Sequence, residues 1–459
     1  MNFFQKIKDF AMNIFSRFGI SEIDGELAEY TKLLSDDMQK KLCVWLQIQK
    51  GEADWNSENP PSGVVASIVG AIADPVYEEM KIESENEELK KLMNDVHSHS
   101  PELVGNDVCV GSSIIRPIFS NNKVQYEIIK NGFYIPTAYD MDGTLTGCVI
   151  LKKIQDEKKQ FMLVEKHSFD HPIHIVEESI YRIQNGNFRK ASLEDCSQTE
   201  GMEEVYSWEN VELPMIVEFR NPRQNTIDDS ALPIALYGGH ENLIEDCDRQ
   251  YNEINWEQIA GRTRIFADED LFRDYQGADG KRHKVFLPEA LQKLVIKLHG
   301  NGTAEEKIQT HSPTLRTEQQ ISAYQQILRE IENVCRIGKG TLSNLEEQIM
   351  TATQFKGGKA VLYNTVNTFE SEFEKKYKHL AYIFAYMLSA YQSVPFNPDI
   401  SITYDDSDRK DATMEKQSDL MEVNAGLMQK WEYRMKHYGE DEETAKQNVP
   451  EQISGGFVF

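Results

Sequence analysis

The sequence predicts an α+β chain, a central antiparallel β block bracketed by helices, and three observations carry that expectation. Residues 107–220 divide into short β-rich runs separated by turn residues. Amphipathic helical stripes lie before that block, around 24–50, 63–80 and 84–96, and return from Gly238 onward. Beyond them Val361, Val366, Phe369, Phe373, Tyr377, Leu380 and Phe384 line one face of a single long helix running to about Tyr391. A chain of 459 residues exceeds what one core usually organises, so several packed regions are expected.

Taken in order, Phe3, Ile7, Phe10, Ile14 and Phe18 form an N-terminal apolar stripe flanked by Lys6, Lys8 and Arg17. Docking on this protein's own body or on a neighbouring copy is preferred over a membrane surface, although the composition fits both. Asn56–Ser62, with Pro60 and Pro61, breaks the chain between the next two helices. In the β block the runs are SIIRPIF, KVQYEII, GFYIPTAY, TGCVILKKI, QFMLVEKHSF and HPIHIVEESIYRI. Asn121-Asn122 and Asp142-Gly143 stand between runs where hairpin turns belong, type I′ at the Asp-Gly pair. After it, Leu243, Cys247, Tyr251 and Ile254 form a helical stripe. A second one, Ile321, Tyr324, Leu328, Ile331 and Cys335, follows a capping-box pattern at Thr317 and Gln320. Two such helices around an insertion of mixed β-like runs read as a paired stalk with a small tip. Gly338, Gly340, Gly357 and Gly358 predict a loop over 338–359. Pro395 and Pro398 end the long helix, ISITY (400–404) reads as a strand, and helices are expected at about 411–436 and 440–449.

Composition narrows the function. Hydrophobic residues make up 40% and charged residues 27%, ordinary for a globular chain. No apolar run reaches the roughly 20 residues that span a bilayer, and the N-terminus has no signal-peptide pattern. Cys43, Cys109, Cys148, Cys196, Cys247 and Cys335 are dispersed, as reduced thiols in a cytoplasmic setting would be. The formal charge of −26 argues against an ordinary nucleic-acid binder, which neutralises phosphates with clustered Lys and Arg. It remains compatible with a channel whose walls repel DNA, or simply with a well-solvated surface.

Few motifs point to chemistry. Asp140-Met141-Asp142-Gly143-Thr144 matches the nucleophile and acid/base pair of haloacid-dehalogenase-like phosphotransferases. That chemistry requires a parallel strand leading into the motif, whereas Pro136 interrupts the approach and TGCVILKKI looks like a hairpin return. His97/His99 and His167/His171/His174 lack a closed ligand pattern, and Asp405-Asp406-Ser407-Asp408 does not fit an EF-hand. No GxxxxGK[ST] loop or GxSxG elbow occurs, so no cofactor, metal or catalytic residue is expected.

Several stretches together resemble the portal proteins of siphovirus-type phages of Gram-positive hosts. They are ISITYDDS (400–407), LMEVNAGLMQKWEYRM (420–435) and YGEDEETAK (438–446), with GSSIIRPIF (111–119), NGFYIPTAYDMDGTLTG (131–147), KHSFDH (166–171), FRNPRQNTIDDSALPIALYGG (219–239) and TATQ (351–354). Gln354 and the run Phe355–Lys359 depart from that family's pattern. The resemblance implies a portal fold: a wing of mixed structure with an antiparallel sheet and a long helix (1–237 and 360–410), stem helices at 238–262 and 315–338, a small α/β clip at 263–314, a tunnel loop within 339–359 and a short helical crown at 411–459. It further implies a non-enzymatic, roughly twelve-membered ring at one capsid vertex of the virion, assembled in the host cytoplasm. Its implied partners are the major capsid protein, the terminase large subunit, a head-completion or adaptor protein and double-stranded DNA, with no membrane.

Within that layout two sets of residues are expected to face DNA. Segment 241–258 carries six acidic residues against Arg249 alone, and Glu241, Glu245 and Asp248 are candidates for a repulsive wall. Lys339, Lys356 and Lys359 are candidates for transient phosphate contacts, which suit sliding better than base-reading pairs. Asp268–Lys297 holds six acidic and six basic residues, a balance that favours docking of a protein partner. The alternatives are the phosphotransferase built on Asp140 and Asp142, or another acidic virion scaffold or adaptor.

Overall fold

The computed structural model describes residues 34–157, 159–184, 187–261, 264–268, 275–276, 278, 280–283, 295–298, 308–344, 352–404, 419–423 and 428–449. The N-terminal stripe from Phe3 to Phe18 and the acidic run 405–408 lie outside them. The chain divides into two compact units, one of residues 1–77 and 82–401, the other of 78–81 and 402–459.

Helix α1 (Asp36–Lys50) begins where the Ser35 hydroxyl accepts the Met38 amide, and it stops at Gly51 in the left-handed region. Helices α2 (Val64–Glu79), α3 (Glu87–Ser98) and α4 (Ser100–Val110) follow, with β1 (Met80–Glu83) between the first two. Helices stand in all three stretches expected before residue 100, the first described from residue 34, and each buries an apolar stripe: Met38, Leu42, Trp45 and Leu46, then Ile68, Ile72 and Val76, then Leu89, Met93 and Val96.

The β block is antiparallel throughout. Strands β2 (Ser112–Ser120) and β3 (Lys123–Lys130) form a hairpin, and β10 (Val217–Arg220) pairs with β2 on its other side. Asn121 and Asn122 both have positive φ, 54° and 60°, as a type I′ turn requires. A second, larger sheet runs in the order β4 (Tyr134–Tyr139), β5 (Leu145–Asp156), β6 (Lys159–Asp170), β7 (Ile173–Gln184) and β8 (Asn187–Ala191), with β9 (Val205–Glu209) also on β7. Pro136 sits on edge strand β4 beside a register shift, the place a sheet tolerates a missing N–H.

Helix α5 (Glu241–Ala260) and helix α6 (Thr317–Cys335) pack as a hairpin. They fall inside the 238–262 and 315–338 spans read from the sequence. The capping box expected at Thr317 does not form: Arg316 caps the helix without a side-chain bond, and its N–H is taken instead by Glu257 Oε1 of α5 at 3.0 Å. The amide that α5 receives thus lies one residue before the expected cap, while Gln320 N donates to Arg316 O at 3.1 Å. The two helix ends converge closely here, since a Cβ on Gly261 would lie 1.8 Å from Leu315 Cδ2. Between the helices, β11 (Arg264–Asp268) runs parallel to β14 (Val295–Leu298) and antiparallel to β15 (Ile308–His311), beside a short β12 (Tyr275–Gln276) and β13 (Arg282–His283) pair.

Helix α7 (Ala352–Gln392) is 41 residues long, roughly 60 Å at 1.5 Å per residue. The expected loop over 338–359 is therefore too long by at least eight residues, because Gly357 and Gly358 lie inside this helix. Two helical glycines cost about 1 kcal/mol each, which propagation from a long, well-buried helix offsets. Val366, Phe369, Phe373, Tyr377, Leu380 and Phe384 are all buried. Phe219 of β10 meets Phe373 edge-on at 5.0 Å and Tyr377 at 5.5 Å, which fixes the helix across the small sheet. Truncating Phe373 to Ala would cost about 3–5 kcal/mol.

Strand β16 (Ser401–Tyr404) matches ISITY. In the second unit, α8 (Lys430–Tyr438) and α9 (Glu442–Gln447) are separate short helices. The single helix expected over 411–436 is interrupted at 428–429, where Gln429 opens α8 and its N–H donates to Glu432 at 2.8 Å. Arg434 grips Glu440 through two bonds, at 2.9 and 2.6 Å, and Lys446 lies 4.6 Å over the Trp431 ring.

Candidate functional site

The six acidic side chains of α5 do not form one wall. Glu241 is buried: Lys41 Nζ donates to its Oε2 at 2.6 Å, and Trp45 Nε1 and Gly239 N donate to Oε1 at 2.7 and 3.1 Å. Burial opposes its charge, yet these donors outweigh it and hold the carboxyl below the usual range. Asp248 is also buried. Its Oδ2 accepts Trp55 Nε1 and Asn56 Nδ2, both at 3.0 Å, and its Oδ1 accepts Ser62 N at 2.7 Å. Both carboxylates are therefore engaged within this chain, tying α1 and the Pro-rich link 51–63 to α5. Period-3.6 reasoning placed acids on a helix face without revealing which face turns inward. Asp246 pairs with Arg249, Glu257 holds Arg316, Glu245 is half-buried and Glu253 is exposed.

The apolar stripes of the hairpin are graded. Cys247, Leu328, Ile331 and Cys335 are buried at its base. Toward Gly261 the covering ends: Tyr251 is 40% exposed, Trp256 60%, Ile259 49%, Leu315 47% and Ile321 44%. Five large apolar side chains in water on one hairpin exceed the scattered exposure normal for a surface.

Lys339 is exposed within a turn, flanked by Gly338 at φ 79° and Gly340 at φ 85°. Lys356 and Lys359 lie on the first turns of α7, and their side chains fall outside the described set. The structure thus separates by secondary structure three lysines that the sequence grouped in one loop. Behind Lys339 stands Glu332, a buried carboxylate absent from the sequence reading, which receives the amides of the same turn. A carboxylate on the inward stripe of α6, followed by a Gly-Lys-Gly run, was the only signal that pointed to it.

Asp140 and Asp142 sit in the hairpin between antiparallel strands β4 and β5. Asp140 Oδ1 accepts the amides of Asp142 (3.0 Å) and Thr144 (2.7 Å), and Gly143 N donates to Asp140 O at 3.2 Å. Of the Asp-Gly pair only Gly143 has positive φ, 77°, so the turn is a three-residue loop closed by a glycine bulge rather than type I′. A carboxylate that organises its own turn on an antiparallel edge lacks the parallel-strand setting that a phosphotransferase nucleophile needs.

The histidines resolve into structural roles. His97 Nε2 bonds to Tyr77 O at 3.1 Å, and His99 Nδ1 to Asp95 O at 2.9 Å. In the large sheet the Met215 amide donates to His174 Nδ1 at 3.1 Å, which leaves the neutral ring's proton on Nε2. That N–H donates to His167 Nδ1 at 3.0 Å, and His167 Nε2 donates to Glu165 Oε1 at 2.6 Å. Arg116 pairs with the other oxygen of Glu165. Burial, with His167 and His379 adding to it, pushes His174 down to about 2. Burial, then the nearby Glu165 charge, pushes Glu178 up to about 7. Glu165 and His167 alternate along β6 and face the same side, a period-2 polar pair within an apolar strand. Among the described residues no group of three or more His, Cys, Asp or Glu side chains is arranged to hold a metal. No helix among them is long and apolar enough to cross a membrane.

A family model described as "Phage portal protein, SPP1 Gp6-like" matches residues 184–448. No curated protein matches the chain. Among solved structures, a chain from the "Neck of empty GTA particle computed with C6 symmetry" is 11% identical with a TM-score of 0.40, covering 81% of this chain and 89% of that one. A chain from the "Neck of native GTA particle computed with C12 symmetry" is 11% identical with a TM-score of 0.39, covering 86% and 92% respectively.

Proposed function

This chain belongs to the phage portal protein family of the SPP1 Gp6-like type, a structural virion component, and from that premise we propose that it closes into a ring of about twelve subunits through which DNA enters and leaves the capsid. The observation that carries this reading is the family match over 184–448, which includes the α5–α6 hairpin, long helix α7 and most of the second unit. The hairpin serves as the stem and 263–314 as the clip, where the terminase large subunit and later a head-completion protein dock. Residues 1–237 and 360–410 form the wing against the major capsid protein, and 411–459 the crown. The exposed Tyr251, Trp256, Ile259, Leu315 and Ile321 support a stem whose outer half is covered by the neighbouring subunit.

In this reading the protein performs no hydrolysis; with no nucleotide-binding loop in the sequence, the motor is a partner. Repulsion of DNA falls to the outward acids, Glu253 foremost with half-buried Glu245, rather than to Glu241 and Asp248. Lys339, with Lys356 and Lys359, supplies weak phosphate contacts that let the duplex slide. Negative-stain microscopy of the purified chain tests the assembly. Closed rings of about a dozen subunits with a duplex-wide hole are expected; a scaffold or adaptor without a central channel would overturn the proposal.

A further inference from the structure

We propose that Glu332 is the positioning residue for Lys339, fixing where that ammonium meets the phosphates of a passing duplex; the proposal rests on the channel reading above. Helix α6 ends at Arg336, in left-handed backbone at φ 55°, and Ile337 N donates to Glu332 O at 3.1 Å. The chain then folds back over the Glu332 side chain. Its Oε1 accepts the amides of Gly340 (3.1 Å), Leu342 (2.6 Å) and Ser343 (2.7 Å), and its Oε2 accepts the Ser343 hydroxyl (2.9 Å). One buried carboxylate thus gathers four donors from three residues of the same turn, 340, 342 and 343.

Three further bonds close the unit. Thr341 Oγ1 donates to Ile337 O at 2.6 Å, Asn344 N to Gln325 Oε1 at 2.6 Å, and Thr365 Oγ1 of α7 to Arg336 O at 2.7 Å. Ile337 and Gly338 are buried, whereas Lys339 is exposed. The two glycines around Lys339 suggest a flexible loop by composition, yet Gly340 is tied to Glu332 and Gly338 is buried. A buried carboxylate is a costly way to hold a turn unless its full set of donors is supplied, and here it is. The result is a cation at the apex of a rigid turn, braced on both α6 and α7. Such a cation loses little freedom on touching a phosphate.

The test is a double-mutant cycle in assembled rings, reading affinity for a labelled 30-base-pair duplex over a salt series. Lys339→Ala should weaken binding at least threefold and flatten the salt dependence, since each lost phosphate contact removes a counterion-release contribution. Glu332→Gln should weaken binding comparably in the Lys339 background and by less than about 1.5-fold in the Lys339→Ala background. Equal losses in both backgrounds, or no loss from Lys339→Ala in intact rings, overturn the proposal. Hydrogen exchange reads the latch itself: in Glu332→Gln the amides of 340, 342 and 343 should exchange at least tenfold faster, and unchanged protection also overturns it. If Glu332→Gln fails to fold, Gln325→Ala removes the Asn344 anchor and should produce the same dependence on Lys339. Absence of rings from the unaltered chain would defeat the portal reading separately, because the exchange experiment does not require assembly.

Discussion

Replacing Asp248 with Asn tests whether the acids of α5 act as a wall or as anchors. The carboxylate accepts three donors, Trp55 Nε1, Asn56 Nδ2 and Ser62 N, from one Pro-rich link. An amide of the same shape offers only one acceptor oxygen, and its NH2 must point at a donor on the other side. If the oxygen faces Ser62 N, Trp55 and Asn56 lose their acceptor; if it faces those two, the Ser62 amide is stranded. Stranding a buried donor costs about 1–3 kcal/mol, and losing the charge weakens the remaining bonds. We expect a total near 3 kcal/mol, which lowers the unfolding midpoint by ~4 °C at about 1.2 °C per kcal/mol for a unit of roughly 400 residues. The assay is thermal unfolding followed by Trp fluorescence, because Trp55 itself reports the link. Glu253→Gln, an exposed acid on the same helix, is the control and should stay within ~0.5 kcal/mol. An Asp248→Asn protein as stable as the unaltered chain, yet retaining DNA differently, would refute the anchor and restore the wall.

Further outcomes follow from the same contacts. Trp256→Glu should abolish rings in negative stain while leaving the subunit's unfolding midpoint nearly unchanged, because that side chain is 60% exposed in the subunit. His174 and His379 are held neutral, pushed down chiefly by burial to about 2 and about 4 from an ordinary 6.5. Their stability contribution is complete above pH 6.5 and lost as pH falls from 6.5 toward 4, so melting temperatures should drop over that window. His379→Gln, which keeps a donor for Pro214 O, should flatten that drop. Asp140→Asn should leave any Mg²⁺-dependent phosphatase signal at background, as in the unaltered chain, and cost about 1 kcal/mol through the loss of a turn acceptor; a specific activity abolished by the substitution would revive the phosphotransferase reading.

Much of the fold was legible residue by residue. Every β run from SIIRPIF to HPIHIVEESIYRI is a strand, and Asn121-Asn122 turns as its letters predict. The two stripes of the α5–α6 hairpin and the long helix were equally readable, since a period of 3.6 with large apolar residues has few alternatives. Two of the misreadings share a cause. Gly357 and Gly358 signal a loop locally, but a 41-residue helix with a buried aromatic stripe carries them. Thr317 and Gln320 spell a capping box, but the helix caps one residue earlier at Arg316, whose amide Glu257 of another helix receives. In each case a contact distant in sequence outweighed a local preference of about 1 kcal/mol.

The candidate site divides along the same line. The resemblance carried by stretches such as ISITYDDS and YGEDEETAK, in their order along the chain, pointed to the phage portal proteins, and the family match agrees, because a motif is read from consecutive residues and needs no partner. Which acids face outward was not available from those motifs. Glu241 and Asp248 differ from Glu253 only in what lies opposite them: Lys41, Trp45, Trp55 and Asn56, all about 190–200 residues earlier in the chain. Glu332 likewise becomes the root of the Lys339 turn only once the chain folds back over it. Burial and hydrogen-bond partnership are properties of pairs brought together by folding, and so the tertiary structure alone decided them.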